Sequence, residues 1–175
     1  MAETISVSSA PTSINQFLTD FRETVETAAS RLLELSPQES QVNSGSGKWS
    51  HRQILGHLID SAANNHQRFV RAQFSDELVF PGYRQDDWVT VQQYASESWP
   101  HLVQLWRFYN LHISHVISAM SESTLVKLRS KHNLNEIAWR TVDCSQPTTL
   151  EYFVRDYVGH MKHHLAQIFG NDIET

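Results

Sequence analysis

The sequence predicts an all-α chain, a four-helix bundle with two long crossover connections. Three observations carry that expectation. Ser or Thr is followed three residues later by Gln or Glu at Ser13/Gln16, Ser50/Gln53, Thr90/Gln93 and Thr148/Glu151, a pattern that closes a helix N-terminus. Each pair precedes apolar residues at spacings of three and four, the period of a helix with one buried face. Two polar stretches, the first broken by Pro81-Gly82 and the second ending at Pro147, separate the later helices and are too long for simple turns.

The first helix is expected over 14–35, where Ile14, Phe17, Leu18, Phe21, Val25, Ala28 and Leu32 form an unbroken stripe stopped by Pro37. Residues 38–48 read as a loop, and Trp49 precedes the next cap, placed to staple onto Ile54. The second helix is expected over 51–74. His57, Asp60, Ser61 and Asn64 lie beside its apolar arc, and for His57 taken alone solvent exposure is the expected state.

The connection 75–89 carries Pro81, Gly82, Phe80, Tyr83 and Trp88. Extended, it spans about 50 Å at ~3.3 Å per residue, more than the ~36 Å of a 24-residue helix. The second and third helices can therefore run parallel. The third helix is expected over 91–120, kinked by Pro100 near Glu97. Its His112 and His115 are a weak candidate metal pair, because His115 faces away from the stripe. The second crossing, 121–147, is expected to hold a helical turn at 125–128 and an extended or β segment at 137–142. The fourth helix then runs to Gly170, a residue suited to a left-handed cap.

That last helix bears the chemistry. On a helical wheel His164 falls inside the stripe of Phe153, Tyr157, Met161, Leu165 and Ile168, and His160 lies on its edge. Imidazoles four apart lie over one another and can reach one ion. His163 points to water. Asp60, one turn from His57, and Asp156, one turn before His160, are candidates to hold an imidazole N–H, and Asn64 is a candidate pocket residue. No carboxylate or other side chain is identified as catalytic. Cys144 has no base beside it in sequence and is expected to be buried and inert.

Composition narrows the function. The 175 residues suit one domain, expected over 12–171 after a flexible tail at 1–11 without signal-peptide character. A net charge of -5 and the absence of a basic block argue against nucleic acid. No apolar run reaches the ~20 residues of a membrane span, so no membrane partner is expected. The single cysteine fits a reducing, cytoplasmic setting.

Two stretches resemble a known family. Lys48-Trp49-Ser50-His51-Arg52-Gln53-Ile54-Leu55-Gly56-His57-Leu58-Ile59-Asp60-Ser61 is similar to the second-helix signature of the DinB-like (DinB/YfiT-like, damage-inducible) metal-binding bundles. Gly159-His160-Met161-Lys162-His163-His164-Leu165-Ala166-Gln167-Ile168 is similar to that family's fourth-helix signature. The resemblance covers 14–170 and implies a divalent metal, zinc or nickel by preference, held by His57, His160 and His164. It also implies an up-down-down-up bundle, a homodimer, a small-molecule substrate, and kinship with thiol S-transferases and metal-dependent hydrolases. A low-molecular-weight thiol is then a candidate cosubstrate. Three imidazoles leave open positions on the ion, which suits a catalytic centre better than a structural one. The alternative is a non-catalytic metal-binding or dimerising helical module, which a fourth protein ligand such as His163 or Asp60 would favour.

Overall fold

The computed structural model describes residues 12–43 and 47–170, so the expected tail at 1–11 lies outside the described residues. Among the described residues seven α-helices follow in order: α1 Ile14–Glu34, α2 His51–Ala72, α3 Gln85–Gln92, α4 Trp99–Ser118, α5 Glu122–Val126, α6 Leu134–Ile137 and α7 Leu150–Phe169. The long helices α1, α2, α4 and α7 form the bundle, and the short ones lie in the two crossings. None of the described helices is long and apolar enough to cross a membrane.

Pairwise contacts fix the helix directions. Trp99 Nε1 donates to the Leu32 carbonyl at 2.7 Å, Arg107 pairs with Glu26, and Arg22 Nε reaches Ser114 Oγ, so α4 runs antiparallel to α1. Arg52, in the first turn of α2, donates to the Ala95 and Glu97 carbonyls just before α4. Helices α2 and α4 thus start together and run parallel, as the reach of the first crossing allows. Phe69 packs edge-on against Phe153 while His57 meets His160 and His164, which sets α7 antiparallel to α2. Contacts of Phe21 with Tyr157 and of Arg31 with Phe169 align α7 with α1. The order is up-down-down-up.

Two of the four expected caps form at the residues read, and one of them closes the reciprocal box; at the other the Gln16 side chain turns instead to Asp20. Ser13 Oγ accepts the Gln16 N–H, and Ser50 with Gln53 makes a full reciprocal box. The fourth is shifted by one residue. Thr149 caps α7, because the N–H and C=O of Thr148 are already paired with Arg129. The third is wrong. Thr90 lies inside α3 with its hydroxyl bonded to the Asp86 carbonyl, and Gln93 ends that helix at φ 51°. Such hydroxyls serve i−4 carbonyls as readily as caps.

Three further expectations are corrected. Pro100 does not kink a long helix. It sits in the first turn of α4, where its missing N–H costs nothing, and residues 94–96 form a separate 3-10 turn. Residues 137–142 form no strand, since the Trp139 and Arg140 amides donate to the Asp156 carboxylate instead of to a neighbouring strand. Cys144 is exposed, not buried.

The core centres on Trp99, Trp106, Phe21, Phe69 and Phe153, all fully buried. Below it, Tyr157 donates its hydroxyl to Asn110 Oδ1 at 2.5 Å, one of few polar bonds inside the bundle. The crossings are stitched to each other across the bundle. Leu78 N–H donates to Lys131, Asn133 N–H to Leu78, and the Asn133 side chain bonds both the N–H and C=O of Phe80. That stitching holds both crossings over the face where α2 meets α7.

Candidate metal centre and its cavity

His57 comes from the second turn of α2, and His160 and His164 from the last three turns of α7. Because those helices are antiparallel, the early part of one lies beside the late part of the other. The ligand atoms of the three residues all lie within 4.8 Å of one another. His57 Nε2 stands 3.3 Å from His160 Nε2. Two nitrogens bound at about 2.1 Å to one tetrahedral ion would stand about 3.4 Å apart. Ring centroids are 4.5 Å apart for His160 and His164 and 4.8 Å for His57 and His164.

All three imidazoles are held in the electron-donating form. Burial, with His164 nearby, pushes the His57 pKa down to about 3. Burial and the neighbouring histidines do the same to His160, also to about 3. His164 is lowered chiefly by burial as well. Neutral imidazole is the state that binds a metal, so the residues present fit a divalent ion. The buried His57 Nδ1 has no partner among the described residues. Contrary to expectation for His57 taken alone, that residue is 1 % exposed, because the first crossing and Trp49 cover the polar side of α2. The Trp49 ring lies 5.0 Å from the His57 ring.

The residues expected to support the imidazoles mostly do something else. Asp60 does not hold His57; its Oδ1 accepts the Tyr94 hydroxyl and the Gln92 amide, each at 2.6 Å. Asp156 does not hold His160; its two oxygens accept the Arg140 N–H at 2.7 Å and the Trp139 N–H at 2.9 Å. Both carboxylates anchor the crossings to the bundle. Asn64 does not line the cavity; its amide donates to the Asp60 carbonyl, and Asn65 lines the cavity in its place.

One imidazole support that the sequence reading missed is Gln167. Its Oε1 accepts the Nδ1–H of His164 at 2.8 Å, which leaves His164 Nε2 with a free lone pair. The signal was present, since Gln167 lies one helical turn beyond His164. His163 is exposed, its ring 5.3 Å from Trp139, and it stays outside the cluster. His112 and His115 also stay outside it, exposed on α4.

Each ligand helix carries a glycine just before its first ligand histidine. A Cβ on Gly56 would lie 2.1 Å from the Tyr94 ring, and one on Gly159 would lie 3.1 Å from the Trp139 ring. A mid-helix glycine costs roughly 1 kcal/mol. Here it admits an aromatic ring of each crossing against the backbone beside a ligand.

Next to the cluster is a cavity of about 360 Å³. His57, Ser61, Asn65 and Arg68 of α2, Phe153, Tyr157 and His160 of α7, Tyr83 of the first crossing and Trp139 of the second line it. On the other side, His164 and Gln167 border a more open cleft with Trp49, Lys48 and Asp86. Among the described residues, no fourth His, Cys, Asp or Glu joins the three histidines.

Comparison with solved structures finds the same fold elsewhere. YfiT from Bacillus subtilis, described as a probable metal-dependent hydrolase with an unusual four-helix bundle topology, superposes with a TM-score of 0.74 at 16% identity. The match covers 95% of this chain and 90% of that one. The mycothiol-dependent maleylpyruvate isomerase matches with a TM-score of 0.59 at 9% identity, over 90% of this chain and 58% of that one. At such identities the likeness is one of fold. Comparison with the curated proteins finds no match. Residues 20–168 match the model of the DinB superfamily, and the chain belongs to that superfamily.

Proposed function

We propose that the protein holds a divalent metal ion, zinc or nickel, through His57, His160 and His164, and uses it in a reaction on a small electrophilic substrate. The observation that carries this reading is the convergence of three neutral imidazoles at the wall of a cavity, with no fourth protein ligand among the described residues. A structural metal site is normally closed by four protein ligands; an open one leaves room for a reactant. Neither group expected as a fourth ligand joins the cluster: Asp60 turns its Oδ1 to Tyr94 and Gln92, and His163 lies on the outer surface beside Trp139.

Bound there, a divalent ion supplies Lewis-acid chemistry, polarising an electrophile or favouring the deprotonated form of water or a thiol. The protein's own residues do the rest. Gln167 holds His164 in the tautomer that turns Nε2 inward. Asp156 holds the backbone of Trp139 and Arg140, and so the aromatic lid, over the cavity. Phe153, Tyr157 and Trp139 give the substrate an apolar wall that limits water. Tyr83, its pKa pushed up to about 12 by burial, stays a neutral hydroxyl at the cavity edge.

The cluster is bordered on two sides, by the cavity at His57 and His160 and by the open cleft at His164. That arrangement favours a two-reactant transfer, with a low-molecular-weight thiol entering from the cleft, over simple hydrolysis. A homodimer remains part of the proposal, to be tested by sedimentation equilibrium.

Element analysis of the purified protein, with the His57→Ala and His164→Ala variants, tests the metal. We expect about one ion per chain in the parent, as three convergent ligands require, and none retained in either variant after desalting. Full metal retention in both variants would end the proposal. Assay of small electrophiles with and without added thiol then separates transfer from hydrolysis.

A further inference from the structure

One stripe of α2 runs along the cavity: His57, Ser61, Asn65 and Arg68. Steps of four, four and three residues keep these side chains on a single helical face. His57 belongs to the imidazole cluster. Arg68 lies eleven residues on, about 16 Å farther along the axis from Cα to Cα.

Arg68 is 5 % exposed. Its Nη2 donates to the Pro81 carbonyl at 2.7 Å and its Nη1 to Asn65 Oδ1 at 3.3 Å. Those bonds use two of the five N–H donors of a guanidinium. No carboxylate among the described residues forms an ion pair with it. The acids on the cavity wall are otherwise placed: Asp156 is taken up by two backbone amides, and Glu136 is exposed. Burial pushes the Arg68 pKa down, the mark of a cation that has lost water without gaining a counter-ion. A buried unpaired guanidinium is expensive for a fold to keep. Its planar fork matches the two oxygens of one anion.

We propose that Arg68 is the anion site of the cavity, and that the substrate is a monocarboxylate long enough to place its carboxylate on Arg68 and its reactive group at the histidine cluster. The position of the reacting end rests on the metal reading above; the anion site does not need the metal. A single guanidinium sharing its cavity with Asp156 and Glu136 matches one negative charge better than the two of a phosphate monoester. Phe153, Tyr157 and Trp139 between the two ends suit an apolar or aromatic spacer.

Calorimetric titration of the full chain with benzoate, benzamide and phenyl phosphate tests this, run on protein as purified and after dialysis against a chelator. Benzoate and benzamide share a ring and differ in charge. We expect benzoate to bind about tenfold tighter than benzamide in both forms, as charge-assisted pairing with a guanidinium implies, and phenyl phosphate more weakly than benzoate. Arg68→Gln should abolish the benzoate preference and leave benzamide binding unchanged, and Arg68→Lys should keep part of the preference. Equal binding of benzoate and benzamide, or no binding of either, overturns the proposal without any variant, which matters because Arg68→Gln also loses the bond to Pro81. A preference that survives Arg68→Gln overturns it too, as does one that appears only with metal present, which would put the carboxylate on the ion. Tighter binding of phenyl phosphate overturns the carboxylate assignment. A protein that holds no metal as purified, and gains none when zinc or nickel is added, yet keeps the benzoate preference would sink the metal reading alone.

Discussion

Gln167 Oε1 accepts the Nδ1–H of His164 at 2.8 Å, and this bond decides which nitrogen of His164 faces the other two imidazoles. A ligand histidine whose second nitrogen is unheld can rotate or change tautomer. Outer partners of this kind are typically worth about 10–100-fold in metal affinity. We therefore expect Gln167→Ala to weaken metal binding by that order while leaving the helical circular dichroism intact. Chelator competition measures it; an unchanged affinity would show that His164 is oriented by packing alone.

Removal of His57 has a sharper consequence. It is the only ligand from α2, so without it the site is a two-histidine pair on one helix. A metal that binds only the folded chain raises its melting temperature by mass action. We expect added zinc or nickel to raise the melting temperature of the parent protein and to leave His57→Ala unmoved. The same scan on the parent at increasing metal should show a graded rise.

Acidity should destabilise the metal-free protein in a defined window. His57 and His160 are pushed down to about 3, chiefly by burial, whereas in the unfolded chain they titrate near the ordinary value of 6.5. Above about pH 6.5 both states carry neutral rings and these residues add no pH dependence. Below it the unfolded chain takes up protons that the folded chain refuses, so stability falls as pH falls. The slope approaches at most about 1.4 kcal/mol per pH unit for each histidine. Asp60 and Asp156, raised by burial, act with the opposite sign as they titrate at lower pH, so the window to read is the one just below about pH 6.5. Urea unfolding across it should show a falling midpoint, shallower in His57→Gln.

Gly56 and Tyr94 form a tight pair behind the site. A Cβ at Gly56 would fall 2.1 Å from a ring atom of Tyr94, which is buried and bonded to Asp60, so the ring has no free direction of escape. Overpacking of this kind costs roughly 1–3 kcal/mol. We expect Gly56→Ala to lose stability by at least that much in denaturant titration, although alanine is the better helix former. Tyr94→Phe tests the other half, since it removes one donor from a buried carboxylate, at about 1–3 kcal/mol.

Asp156 holds the lid segment by two backbone bonds, and neither of its oxygens is bonded to His160. Asp156→Ala should release Trp139 and Arg140, each freed amide costing about 1–3 kcal/mol if it stays buried. Tryptophan fluorescence should shift to the red as Trp139 leaves the His160 and His163 rings, with metal stoichiometry unchanged.

The sequence by itself determined the four long helices, because apolar residues recurring every three or four positions have one way to bury a common face. It also determined the α7 histidine pair, since residues four apart on a helix share a side whatever surrounds them. It missed the short elements. Thr90, Thr148 and residues 137–142 each carry a local signal that a non-local partner or an i−4 carbonyl overrides, as Arg129 does for Thr148 and Asp156 does for Trp139 and Arg140. Only the tertiary structure decided the state of His57. Its own helix wheel points it toward water, and it is dry because the crossings and Trp49 close over the polar stripe of α2. The same closure buries Arg68 and turns Asp60 and Asp156 from imagined imidazole partners into anchors. Helical periodicity is a local property that one segment can display; burial of a polar stripe depends on what distant segments place above it.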